Sequence, residues 1–156
     1  MSRTAVVLFN LGGPDRPEAV RPFLFNLFND PAIIGAPQPL RWLIAKLVSR
    51  RRAPVAAEMY DQLGGGSPLL ANTEAQAQAL AAALGGGSDL LVTIAMRYWH
   101  PLTEAAVAAV QSFAPERLVL LPLYPQYSTT TTGSSLAAWN RASARAGLNL
   151  PTSGFC

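Results

Sequence analysis

Three short apolar runs constrain this chain more than any other feature. Ala5 to Leu11, Leu90 to Met96 and Leu118 to Leu123 are built largely of Val, Ile, Leu, Met and Phe, without regular polar alternation. A strand with one wet face alternates, whereas a strand covered on both faces reads as a near-continuous apolar run. Between the runs, apolar residues recur at helical spacing, as in Val20, Phe23, Leu24, Leu27 and Phe28. Strands interleaved with helices predict an α/β fold, with a parallel sheet flanked by helices.

Local signals mark where the helices begin and end. Asp15 with Glu18 has capping-box spacing ahead of the first helix. A second apolar face, Leu40, Leu43, Ile44, Leu47 and Val48, runs into Arg50-Arg51-Arg52, where cations suit a helix C-terminus. A third helix is expected over Val55 to Leu63 and a fourth over Thr73 to Leu84, each followed by Gly-Gly-Gly-Ser. Thr103 is placed to cap a helix over Glu104 to Phe113, and another spans Ser135 to Ala146. After Gly147, the residues to Cys156 read as the approach to a further strand.

Composition removes several classes. With 156 residues, half of them hydrophobic, the chain is long enough for an ordinary domain core. Its single Cys, Cys156, excludes an internal disulfide and any zinc or iron–sulfur site built from Cys of this chain alone, which agrees with a reducing, cytoplasmic setting. The net charge of +3 is the excess of 11 Arg and one Lys over nine acidic residues, and the Arg-rich, Lys-poor balance is a compositional bias and not a nucleic-acid footprint. No window approaches the ~20 apolar residues that a membrane span requires.

In open parallel sheets, ligands bind beyond the carboxyl ends of the strands. The three exits are Asn10 to Pro14, Arg97 to Pro101, and Tyr124 to Ser135. They hold an Arg, three Tyr, a Trp, the only His and seven Ser or Thr residues that lead into a helix. Aromatic faces, a guanidinium fork and a hydroxyl-rich helix start suit a large flat ligand with acidic edges. A nucleotide fits less well, because neither G-x-G-x-x-G nor G-x-x-x-x-G-K-[ST] occurs. If the chain stays extended, Tyr98 and Trp99 point to opposite sides, so one of them faces a ligand. His100, lone and followed by Pro, reads more readily as a hydrogen-bonded structural residue than as a metal ligand.

Four motifs in order, Asn10-Leu11-Gly12-Gly13-Pro14, Gly64 to Leu69, Met96 to Pro101 and Leu123 to Ser135, together resemble the ferrochelatase family. The resemblance implies a chelatase fold of two similar Rossmann-like halves, residues 1–156 being the N-terminal half and the C-terminal half lying outside this chain. It implies insertion of ferrous iron into a porphyrin, protoporphyrin IX or coproporphyrin III, in haem biosynthesis. The porphyrin-binding residues it implies are Leu11, Arg52, Tyr60, Ser67, Arg97 and Tyr98. The family's metal-handling His and its acidic partner belong to the other half, so no catalytic or metal residue is assigned here. Some members carry an iron–sulfur cluster through a Cys in the last motif; Thr129 stands at that position, which removes a cluster of that kind. Phe23, Leu24, Leu27 and Phe28, with Ile33 and Ile34, resemble an apolar lip at the cleft mouth that can rest on a membrane, implying a cytoplasmic protein peripheral at the inner membrane. The alternative reading is a non-enzymatic tetrapyrrole- or nucleotide-binding module of flavodoxin-like architecture.

Overall fold

The computed structural model describes residues 2–154. Two compact units divide the chain, residues 1–11 with 71–156, and residues 12–70.

The first unit is built on a four-stranded sheet of β1 (Thr4–Asn10), β2 (Leu90–Met96), β3 (Arg117–Pro122) and β4 (Thr152–Gly154). The order is β2-β1-β3-β4 and every neighbouring pair is parallel. The three expected strands are therefore present, with their carboxyl ends at one edge, and a fourth follows in the segment after Gly147. Residues 155 and 156, which include Cys156, lie outside the described residues.

Both faces of β1 are covered, which is why its sequence does not alternate. Ala5, Val7 and Phe9 join Leu118, Leu120 and Ala95 in a core closed by α4 (Thr103–Phe113) and α5 (Ser134–Arg145). Its anchor is Trp139 of α5, whose ring meets Phe9 edge to face at 5.9 Å. On the other face, Leu80 and Leu84, at the end of α3 (Leu69–Ala83), share a hollow with Val6, Val119 and Leu121. The chain runs from central β1 to β2 on one side and then to β3 on the other. The order thus reverses at β1 and β3, where ligands of doubly wound sheets bind.

The second unit packs α1 (Val20–Phe28) against α2 (Gln38–Asp61). Here three expectations are corrected. The helix with the Leu40 face and the one from Val55 form a single helix that runs through the Arg triplet, so Arg50 to Arg52 lie mid-helix. Pro54 removes the donor for the Arg50 carbonyl, but Arg50 is exposed and solvent can take that bond; proline's φ is itself helical. The capping box does not form: Pro17, which has no N–H, opens a 3-10 turn over Pro17–Ala19 with Arg16 as N-cap, and Asp15 pairs with Arg16 at 3.0 Å. Phe23 is buried and cannot form part of an exposed lip, whereas Leu24, Leu27 and Phe28 are half-buried. Most of the strongly exposed apolar residues of this unit lie on α2 instead, among them Leu40, Leu43, Leu47, Val55 and Met59.

Helix ends in the first unit also shift. Thr103 is the first residue of α4 and is buried, with Leu102 as N-cap. A cap must accept from the following turn, and a buried first-turn residue points elsewhere. Gly after a helix behaves as expected: the Gly65 N–H bonds the Tyr60 carbonyl and the Gly86 N–H bonds that of Ala81, with both glycines at positive φ. No helix among the described residues is long and apolar enough to cross a membrane.

Candidate functional site

In the first unit, backbone hydrogen bonds gather the strand exits. The Arg97 N–H bonds the Asn10 carbonyl at 2.9 Å, the Tyr98 N–H bonds that of Leu11 at 3.0 Å, and the Leu123 N–H bonds that of Phe9 at 2.9 Å. The loop from Arg97 closes through the Met96 N–H onto the Pro101 carbonyl at 2.8 Å. Asn10 caps the end of β1 twice, its Oδ1 accepting from the Leu11 N–H and its Nδ2 donating to Thr73 Oγ1 of α3.

Side chains of the second and third exits then meet. Arg97 is half-buried, with its guanidinium carbon 4.9 Å from the centroid of the Tyr98 ring, a cation–π distance. Its Nε donates to Ser134 Oγ at 2.7 Å. Tyr98 is fully buried, its hydroxyl 3.5 Å from the Thr130 carbonyl, and Trp99 is also buried, against His100. The loop bends after Met96, so the two rings do not take the opposite faces of an extended strand. The Tyr124 hydroxyl lies 2.9 Å from Ser135 Oγ. Burial pushes the Tyr124 phenol up from its ordinary value, while the Ser135 hydrogen bond and the positive charge of Arg97 work in the opposite direction.

These contacts correct the reading of the hydroxyl-rich helix start as an anion cradle. Ser134 and Ser135 are buried, and their hydroxyls engage Arg97 and Tyr124. Ahead of them, Thr129–Gly133 forms one π-helical turn, closed by the Gly133 N–H on the Ser128 carbonyl at 3.0 Å. Ser128 Oγ caps that turn by accepting from the Thr130 N–H. The sequence marked this segment as unusual, but the partners lie 37 and 11 residues away and only folding identifies them.

The second unit holds Arg52, Tyr60 and Ser67. Arg52 is exposed and, with Arg51, Leu24, Val55, Ala56 and Met59, lines a hollow of about 390 Å³ between α1 and α2. Tyr60 is half-buried and its phenol is pushed up by desolvation. Ser67 Oγ accepts from the Leu69 N–H and so helps begin α3, four residues earlier than expected. Two glycine-rich motifs close on each other around it. The Ser67 N–H bonds the Pro14 carbonyl at 2.7 Å, and a Cβ on Gly66 would stand 2.8 Å from the Asp15 carbonyl oxygen. Only glycine permits that approach without a backbone shift. The six candidate residues thus divide three and three: Leu11, Arg97 and Tyr98 in one unit, Arg52, Tyr60 and Ser67 in the other.

A guanidinium held beside aromatic rings at the carboxyl edge of a parallel sheet can recognise a carboxylate on a flat ligand. No group of three or more His, Cys, Asp or Glu able to hold a metal occurs among the described residues.

Comparison with known proteins gives the same direction. The family model described as Ferrochelatase matches residues 3–155. A ferrochelatase of Caulobacter vibrioides (strain NA1000 / CB15N) is 61% identical over 142 residues, covering 89% of this chain and 41% of that protein. One from Hyphomonas neptunium is 60% identical over 145 residues, with 90% and 41% covered. One from Pelagibacter ubique is 49% identical over 157 residues, with 99% and 46% covered. The chain therefore spans less than half the length of these relatives.

Proposed function

This chain belongs to the ferrochelatase family, and from that premise we propose that it supplies the first half of a porphyrin cleft in an enzyme that inserts ferrous iron into a porphyrin during haem biosynthesis. Iron and porphyrin are both substrates in this reading. The observation that carries it is Arg97, tied by Nε to Ser134 and stacked on Tyr98 at the edge where β1, β2 and β3 end. Leu11, at the same edge, offers an apolar contact to the macrocycle, and the buried Tyr98 ring supports the guanidinium. The family resemblance adds Arg52, Tyr60 and Ser67, which lie in the second unit, as porphyrin contacts. Iron is handled by the part of the enzyme beyond this half, and Thr129 provides no ligand for a cluster. Strand order alone fits a non-enzymatic flavodoxin-like binder equally well; family membership favours the enzyme.

Porphyrin titration of the full-length protein tests the two arginines. Replacing Arg97 or Arg52 with Ala is expected to weaken binding of a free-acid porphyrin roughly tenfold, about 1.4 kcal/mol, close to the lower end of what a hydrogen bond to a charged group contributes. Esterifying the porphyrin acids removes the partner, so the same variants should bind the ester as the parent does. An unchanged Kd alongside a lowered Tm would withdraw the residue from the site.

The reading includes peripheral contact with a bilayer. We place it on Leu24, Leu27 and Phe28 together with the exposed Leu40, Leu43 and Leu47 of α2, near the cationic Arg50 to Arg52. Sedimentation with vesicles containing anionic phospholipid is expected to carry the full-length protein down. Leu43→Ser with Leu47→Ser should reduce the bound fraction; equal binding by the variant would reject the placement.

A further inference from the structure

We propose that Ser134 is a positioning residue for carboxylate recognition, setting the aim of the Arg97 guanidinium. The inference rests on Arg97 being a porphyrin contact and adds what makes that contact directional. An arginine side chain is long and free to rotate, and ordering it costs rotamer entropy. A hydrogen bond at Nε, the atom at the root of the fork, limits rotation about the last side-chain bonds and so sets where both terminal nitrogens point. The 2.7 Å bond to Ser134 Oγ does this from one side, and the Tyr98 ring beneath the guanidinium plane restrains it from another.

Ser134 is itself well placed to act as a fixed point. It is buried, at 4% exposure, and begins α5, which is anchored in the core by Trp139. Immediately before it the chain makes the π-helical turn of Thr129–Gly133, which widens the approach by one residue relative to an α-helical turn. The next residue, Ser135, lies about 100° further round the helix and meets the Tyr124 hydroxyl, so two adjacent serines engage two different side chains. Tyr98 reaches the same turn through the Thr130 carbonyl. Thr130 of the turn and the first two residues of α5 therefore meet Tyr98, Arg97 and Tyr124 from one short segment.

Ser134→Ala, Ser134→Cys and Ser134→Thr in the full-length enzyme separate positioning from packing. The Ala variant removes the acceptor, Cys retains the size with a poor acceptor, and Thr retains the hydroxyl. Titrated with free-acid porphyrin, the Ala and Cys variants should show Kd raised about three- to tenfold. Thr should restore most of the affinity. With the esterified porphyrin all three should match the parent, a discrimination that a packing defect does not produce. Added to Arg97→Ala, Ser134→Ala should cause no further loss. Equal losses for acid and ester, or parental affinity in both Ala and Cys variants while Arg97→Ala remains impaired, would overturn the role of Ser134 and leave that of Arg97 standing. Parental affinity in Arg97→Ala would overturn both. If the Ala variant does not fold, the Cys and Thr pair still gives the decision.

Discussion

Residues 1–156 alone, mixed with ferrous iron and a free-acid porphyrin in the absence of oxygen, are expected to give no metallation above the rate without protein. Insertion requires groups that hand over the metal and accept the two pyrrole protons, and groups that bend the macrocycle so that its nitrogen lone pairs become accessible. Its one imidazole, His100, is exposed and stacks edge-on against Trp99. The hydroxyls of Ser134 and Ser135 already engage Arg97 and Tyr124, and burial pushes the Tyr124 phenol up, away from serving as a proton acceptor. On the proposed reading, the half contributes only contacts to the acidic substituents of the porphyrin. Following the porphyrin absorbance bands distinguishes metallation from binding, and protein-dependent appearance of the metalloporphyrin spectrum would defeat the expectation.

Trp139→Ala is expected to be the most damaging single change to the fold, destabilising it by about 3–5 kcal/mol. Trp139 is 2% exposed, packs edge to face on Phe9 of the central strand, and fastens to the sheet the helix that begins with Ser134 and Ser135. At that cost the Tm of a domain of this size should fall on the order of 10 °C. Trp42→Ala makes the contrast. Trp42 is 44% exposed and its contacts are Lys46 over the ring at 4.7 Å and the edge of Phe25, so its loss should cost roughly 0.5–1 kcal/mol. Thermal denaturation of both variants gives the comparison. A shift for Trp139→Ala no larger than that for Trp42→Ala would reject Trp139 as the anchor.

The strands were legible in the sequence because burial on both faces leaves a mark that needs no partner to be read. The apolar runs of β1, β2 and β3 locate the sheet to within a residue, and parallel pairing follows from the helices between them. Glycines that end helices are equally local, since positive φ is a property of one residue. The motifs also pointed to the family, and three of them gather at the carboxyl edge of the sheet, as the loops of such sheets must.

Other features depended on which distant residues meet. A proline within an arginine-rich stretch reads as a break, yet α2 continues because the lost hydrogen bond falls on an exposed turn. Phe23 and Phe28 look alike on the helical pattern, but packing against α2 buries the first and half-buries the second. A run of Ser and Thr states that hydroxyls are available and not what they bond. By itself the sequence determined the strands, the helix-ending glycines and the family, because local backbone preference and two-sided burial are written residue by residue. Only the tertiary structure decided that Ser134 faces Arg97 and that Tyr98 is buried beneath it, because a hydrogen bond spanning 37 residues exists only after the sheet has brought its two ends together.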